Sequence, residues 1–502
     1  MAFVSIFNDV IGPVMRGPSS SHTAGAHRIG LLVRDLLGTS PASARVTFDP
    51  EGSMAPTWRP LGVDLALTAG LMGWSMLDEH YRETVERASD VGLTVEFVIA
   101  PLDHTDHPNG MLVEVEDSGG RALRVVAEAV GGGGVRLVRL DDWAVDIDGT
   151  FHVALVEVDR EDEPAAAELL SNSKSQVGER SVLLSASSAD PVDLEFPAAK
   201  RVYSTAPVFY VQKGEASFES ANEMVALAEG RELSLGETAL AYEAGLLGLT
   251  QEGVVAEMLR RYKVMEGSVT AGVDDSQSDM LLLQPTASRV LDAESNGKVA
   301  VGGIHTRAAA RAMAVMHHCN SRGVVCAAPT GGSAGTLPGV VTSLAEEREL
   351  SPRQIALALF AASAIGLIVA RRATFAAEIA GCQVEIGVAG AMAAAAVVEA
   401  AGGSAKQAVD AAAVSLQNTM GSPCDPVAGA CEIPCHTRNA VAASSAFTCA
   451  DLILGGYANP IPLDESIDAS YEVGQALPAE LRCTARGGCA TTPSALALTR
   501  RR

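Results

Sequence analysis

Two hydrophobic periodicities divide the chain. Apolar and polar positions alternate over residues 91–100 and 111–140, which predicts half-buried strands, and Ala44–Phe48 predicts another. Helical spacing governs Ala24–Leu37 and Val63–Met72, with a loop expected over Asp49–Gly62. The four glycines Gly131–Gly134 read as a strand turn. Phe151–Val158 and Val182–Ser187 read as strands around a helix at Glu163–Leu170, a βαβ fragment. Residues 189–216, with Pro191, Pro197 and Pro207, read as a linker. From Ser217 onward the two-residue period vanishes, and segments rich in Ala, Leu, Glu and Met recur at helical spacing. The expected fold class is α+β: an N-terminal α+β domain (1–149), a short βαβ region (150–188), the linker, and a large all-α domain (217–502). The longest apolar run, Ile355–Ala370, is shorter than a membrane span and is followed by Arg371 and Arg372, so it predicts a buried helix.

Composition narrows the partners. A net charge of −24 argues against nucleic acid and against anionic membrane surfaces, since both require Lys and Arg. With 48% apolar but only 4% aromatic residues, the core must be built from Ala, Val, Leu and Ile. Nine cysteines, an odd number, and an N-terminus without a basic stretch before an apolar one predict a reducing cytoplasm, with thiols kept for ligation.

Candidate chemistry concentrates in Cys424–Asn439, where Cys424, Cys431 and Cys435 fall among Asp425, Glu432, His436, Arg438 and Asn439. Pro426 and Pro434 make part of it loop. Such a stretch reads either as buried thiols acting as small hydrophobes or as a metal or iron–sulfur site, with zinc as the inorganic alternative. Upstream, Gly17–Thr23 places Ser19, Ser20, Ser21, His22 and Thr23 before a helix. That is more hydroxyl than one cap needs, and amides with hydroxyls there would hold a carboxylate. Ala328–Gly335, with Thr330, Gly331 and Ser333, offers a second anion cradle or a tight turn. His104–Asn109, which includes His107, is a turn or a metal site. Cys382 follows an apolar helix, and Cys483 and Cys489 lie in the tail. The six lysines lack a Schiff-base setting, so no pyridoxal phosphate is expected.

Taken together, Ile11–Gly25, Thr105–Asn109, Ala328–Gly335, Gly381–Gln383 and Cys424–Asn439 resemble, in order, the signatures of iron–sulfur-dependent bacterial L-serine dehydratases. Some members split into two subunits, and this chain resembles both joined near residues 190–217. The resemblance implies a small regulatory region of the ACT type at 150–188 and a helical catalytic domain. It also implies an oxygen-sensitive [4Fe–4S] cluster on Cys382, Cys424 and Cys435. Those cysteines lie 42 and 11 positions apart, a spacing that names no cluster by itself. Cys431 falls outside the implied set, and Cys483 or Cys489 would be needed to fill a fourth position. The implied reaction turns L-serine into pyruvate and ammonia. Ser19–Thr23 and the Thr330–Gly335 loop would seat the substrate with Asn439, while Arg438, His22 and His107 would supply charge or proton transfer. A homodimer or homotetramer is expected.

One departure bears on the chemistry. Leu61 stands where the family carries a histidine, and Val63 where it carries a threonine. Leucine transfers no proton. Either His22, His107 or His436 supplies the base, or the substrate is another β-substituted amino acid, or the protein only senses an amino acid.

Overall fold

The computed structural model describes residues 3–500 apart from 171, 172, 193–195, 275 and 277, so readings made on residues 1–2, 193–195 and 501–502 lie outside it. Strands Thr94–Ile99, Pro41–Phe48, Gly110–Asp117, Ala122–Gly131, Gly134–Leu140 and Trp143–Ile147 pair in that order to form the first sheet. Only the first pair is parallel. The turn between the fourth and fifth strands uses Gly132 and Gly133, both at positive φ (59° and 89°), as the glycine run predicts. Helices Ala26–Leu37 and Val63–Met72 share one apolar core with this sheet, through Ile29, Leu32 and Leu67 against Val113, Val125 and Leu137. The helices approach closely at Gly30 and Gly70, where a Cβ on Gly70 would sit 2.2 Å from the His27 carbonyl.

The structure differs from three expectations. The loop expected at Asp49–Gly62 contains the helix Met54–Leu61. Pro56 sits in its first turn, where the missing N–H would be unpaired anyway, and Pro60 in its last, with Gly62 closing it at φ 82°. The expected βαβ unit is present as His152–Val158, Glu163–Leu169 and Val182–Ser188, but a further strand, Lys174–Val177, precedes the last of these. His152–Val158 and Val182–Ser188 therefore pair directly and antiparallel. Lys174–Val177 is exposed at every residue, so it has no apolar alternation to read. Arg201–Thr205, inside the expected linker, adds the other edge of this four-stranded sheet.

Among the described residues beyond 217 the regular elements are helices except for the strand Val324–Cys326, which pairs antiparallel with Val14–Arg16. Pro352–Arg372 and the apolar stretch Cys382–Ala400 are long and apolar enough to cross a membrane, but both lie mostly buried in the helical core. A second tie joins the N-terminus to this core. Glu243 is buried on Leu235–Leu247 and accepts hydrogen bonds from the Ser5 hydroxyl (2.6 Å) and the amides of Ile6 (2.8 Å) and Phe7 (3.0 Å). Removing it strands three donors. Glu243→Ala should therefore lower unfolding stability by about 3 kcal/mol or more in urea titration, with Glu243→Gln losing less.

Candidate active site

The N-terminal serines do not cap a helix in the ordinary way. Ser20 makes no side-chain cap bond, and the chain passes through a π-turn, Ser21–Gly25, before Ala26–Leu37 begins. Ser20, Ser21, His22 and Thr23 are all buried. The Thr23 hydroxyl donates to the Ser19 carbonyl at 2.6 Å and thereby shapes the loop.

His22 is held at both ring nitrogens. Thr57, on the helix Met54–Leu61, donates its one hydroxyl proton to the Ser53 carbonyl at 2.5 Å. Its oxygen must therefore accept from His22 Nε2–H, at 2.8 Å. That fixes Nδ1 as the acceptor of the Ser19 hydroxyl, at 2.9 Å. Burial pushes the His22 pKa down to about 3, so the ring is neutral. Glu378 Oε1 lies 3.9 Å from Nδ1. Burial raises the Glu378 carboxyl and a bond with Asn109 lowers it, so the Thr105–Asn109 turn reaches the same place through Asn109. His107 stays within that turn, its Nδ1 accepting from the Asn109 amide at 3.1 Å, and burial lowers its pKa.

The second small-residue loop packs on the first. A Cβ on Gly331 would lie 2.9 Å from the Ser20 amide nitrogen, so only glycine permits this approach. Thr330 Oγ1 donates to Glu385 Oε1 at 2.5 Å, and Ser333 N donates to Thr330 Oγ1 at 3.2 Å. Asn439 braces the loop from the helix Cys435–Leu454. Its Nδ2 donates to the Gly332 and Cys435 carbonyls, both at 2.9 Å, and its Oδ1 accepts from the Thr336 amide (3.1 Å) and hydroxyl (3.0 Å).

Glu385 leads from these loops to the thiols. One carboxylate oxygen and the sulfurs of Cys382 and Cys424 all lie within 4.8 Å of one another. The residue keeps some exposure, but protein surrounds its carboxyl, and burial raises its pKa to about 7 against the lowering effect of Thr330. Cys483 packs into the same cluster. Its amide donates to the Cys424 carbonyl at 2.8 Å, its carbonyl accepts from Ser53 Oγ at 3.0 Å, and the Cys424 amide donates to Leu481 O at 2.8 Å. Contacts with the thiols of Cys382 and Cys483, then burial, raise the Cys424 thiol well above its ordinary value.

Cys435 opens its helix, buried, with its sulfur beside Cys431. Arg438, one turn on, faces both Cys382 and Cys435. It donates to the Pro423 carbonyl at 2.7 Å, reaches Cys382 Sγ at 3.6 Å and pairs with Asp425 Oδ1 at 2.9 Å. His436 lies behind, its Nε2 3.0 Å from Asn320 Nδ2 and its ring 5.2 Å from that of His317.

The structure thus gathers Ser19–Thr23, Thr330–Ser333, Cys382 and Cys424, with Asn439 and Arg438 as braces. Thr57, Glu378 and Glu385 are not among the residues expected from the sequence. A signal for the glutamates was available, since they flank Cys382 in a stretch otherwise dominated by Ala, Ile, Gly and Val, and a carboxylate is costly in such a setting.

The neutral His22 has a consequence for acid stability. The unfolded chain takes up a proton near the ordinary value of 6.5, whereas the folded chain resists until about 3. The stability contribution is therefore complete above 6.5 and falls as pH drops through that window. Between about pH 7 and about pH 5 the wild type should lose about 2 kcal/mol more than His22→Gln, measured by urea denaturation at each pH.

Comparisons with known proteins identify the family of the chain. The family model described as "Serine dehydratase alpha chain" matches residues 173–490. The probable L-serine dehydratase alpha chain of Bacillus subtilis strain 168 is 37% identical over 277 residues, covering 55% of this chain and 92% of that protein. The probable beta chain of the same organism is 36% identical over 156 residues, covering 31% of this chain and 69% of that protein. The L-serine dehydratase TdcG of Escherichia coli strain K12 is 27% identical over 501 residues, covering 94% of this chain and 96% of its own length. With a family match across more than half its length and similarity to both subunit types, the chain belongs to the L-serine dehydratase family, in the form that joins the two subunits in one polypeptide.

Proposed function

We propose that this protein is an iron–sulfur-dependent lyase that converts L-serine to pyruvate and ammonia. The observation that carries the reading is the convergence of two hydroxyl- and amide-bearing loops, Ser19–Thr23 and Thr330–Ser333, on a buried set of thiols and a carboxylate. The donor chemistry fits an iron–sulfur group. The neighbouring thiols of Cys382 and Cys483, with burial, hold the Cys424 thiol well above its ordinary value, and a cationic metal core is what converts such a group into a thiolate ligand. Cys382, Cys424 and Cys435 would hold a [4Fe–4S] cluster, with Arg438 offsetting the negative charge of their thiolates. When bound, the cluster supplies a Lewis acid to the departing β-hydroxyl.

The remaining roles fall to the chain itself. Ser20, Ser21, Thr330, Gly331 and Ser333 line the carboxylate seat, Thr23 and Asn439 hold its two loops in shape, and His22 orients the Ser19 hydroxyl. Burial of the seat excludes water from the aminoacrylate that forms before it hydrolyses.

A second reading, elimination from a different β-substituted amino acid, is favoured by Leu61. It lies one helical turn from Thr57, whose hydroxyl holds His22, so an apolar side chain occupies a position on that helix face. An anaerobic assay of ammonia release across L-serine, L-threonine, L-cysteine and other β-substituted amino acids decides between them. L-serine should give the highest kcat/KM, and Cys424→Ser should lower it by roughly 100-fold or more with loss of iron. Faster turnover of another member of the panel would replace serine as the substrate. No ammonia from any of them by iron-loaded protein would end the proposal.

A further inference from the structure

β-Elimination needs an acceptor for the Cα proton, and Leu61, on the helix that holds His22 through Thr57, cannot be one. His22, His436 and His107 are each held by other partners. His22 has Nδ1 filled by the Ser19 hydroxyl and Nε2 donating to Thr57. His436 faces Asn320 and His317. His107 bonds within its own turn. Of the two glutamates at the site, Glu378 is engaged with Asn109 and lies against His22.

Glu385 is placed differently. Its carboxylate stands within 4.8 Å of both the Cys382 and Cys424 sulfurs, so it borders the position a reacting substrate would take beside them. Thr330, from the loop assigned to the substrate carboxylate, donates to Oε1 at 2.5 Å and aims the group, leaving Oε2 as the oxygen offered. Gly332 allows the approach, since a Cβ there would lie 2.5 Å from Oε1. One carboxylate thus bonds to the Thr330 loop and stands near the two sulfurs.

We propose that Glu385 is the catalytic base that removes the Cα proton. The inference rests on the β-elimination reading above. The Cα–H bond breaks and its proton goes to Glu385 Oε2. The electron pair left on Cα forms the Cα=Cβ double bond, and the Cβ–O bond breaks with its pair on the departing hydroxide. That hydroxide takes the proton back from Glu385 and leaves as water, which resets the carboxylate. The aminoacrylate tautomerises to an imine, and a water molecule hydrolyses it to pyruvate and ammonia.

The test uses the full chain, reconstituted anaerobically, as Glu385→Gln and Glu385→Ala. Iron content and visible absorption are read alongside steady-state kinetics. Both variants should keep iron and absorption like the wild type, lose about 100-fold or more in kcat and change KM by no more than about threefold. Added formate should restore part of the rate of Glu385→Ala in proportion to its concentration, which a structural role would not permit. Several results overturn the inference: kcat within about threefold of wild type in Glu385→Gln; a raised KM with kcat kept, which makes the carboxylate an ammonium seat; or loss of iron, which makes it a ligand. In each of these the wild type still releases ammonia, so the β-elimination reading stands. An iron-loaded wild type that releases none from any amino acid takes both down.

Discussion

The site depends on a short ladder between distant parts of the chain. Val14–Arg16 pairs with Val324–Cys326, and the pairing extends at its ends through Gly12 N to Ala327 O (2.9 Å), Ala327 N to Pro13 O (3.0 Å) and Gly17 N to Gly323 O (3.1 Å). These bonds fix the register of the N-terminal segment against the helical half. Ser19–Thr23 and Thr330–Gly335 can then meet, with Gly331 on the Ser20 backbone and Gly17 on Cys319. Bulk at either glycine would force the loops apart. Both strands belong to one chain, so the ladder forms without the entropy cost of bringing two chains together.

The thiol end is assembled by a second set of backbone bonds. Cys424 and Cys483 exchange strand-like hydrogen bonds with each other's neighbourhood, Asp425 accepts the Cys489 amide at 2.7 Å, and Glu432 accepts the amides of Leu282 and Leu283 at 2.7 Å each, together with that of Leu281. The polar residues between the cysteines thus act mostly as anchors. They tie the tail and the 281–283 segment to the loop, so Cys382, Cys424 and Cys483 cluster without one regular element beneath them all, while Cys435 lies beside Cys431. Arg438 spans the two arms of this arrangement through Pro423, Asp425 and Cys382.

Much of this was legible in the sequence, and the reasons for the rest are physical. Val63–Met72 and the glycine hairpin follow from periodicity and positive φ. Lys174–Val177 was hidden because it is exposed at every residue, and Met54–Leu61 because two prolines masked a helix that needs only its middle residues. The loops and cysteines were recognisable as motifs. Their partners Thr57, Glu378 and Glu385 were not, because single polar residues gain meaning only from what folding places beside them. Asn439 shows the same limit from the other side. It was read as a substrate contact, but its amide is occupied by Gly332, Cys435 and Thr336, which makes it a brace.

The central claim is that thiols remote in sequence converge to hold an iron–sulfur cluster beside a carboxylate seat. Metal and acid-labile sulfide analysis of the full chain, purified without oxygen, tests it most directly. The account predicts about four iron atoms and about four sulfides per chain, with both lost in Cys382→Ser and Cys424→Ser. One zinc per chain without sulfide, or no metal after reconstitution with iron and sulfide, would contradict it.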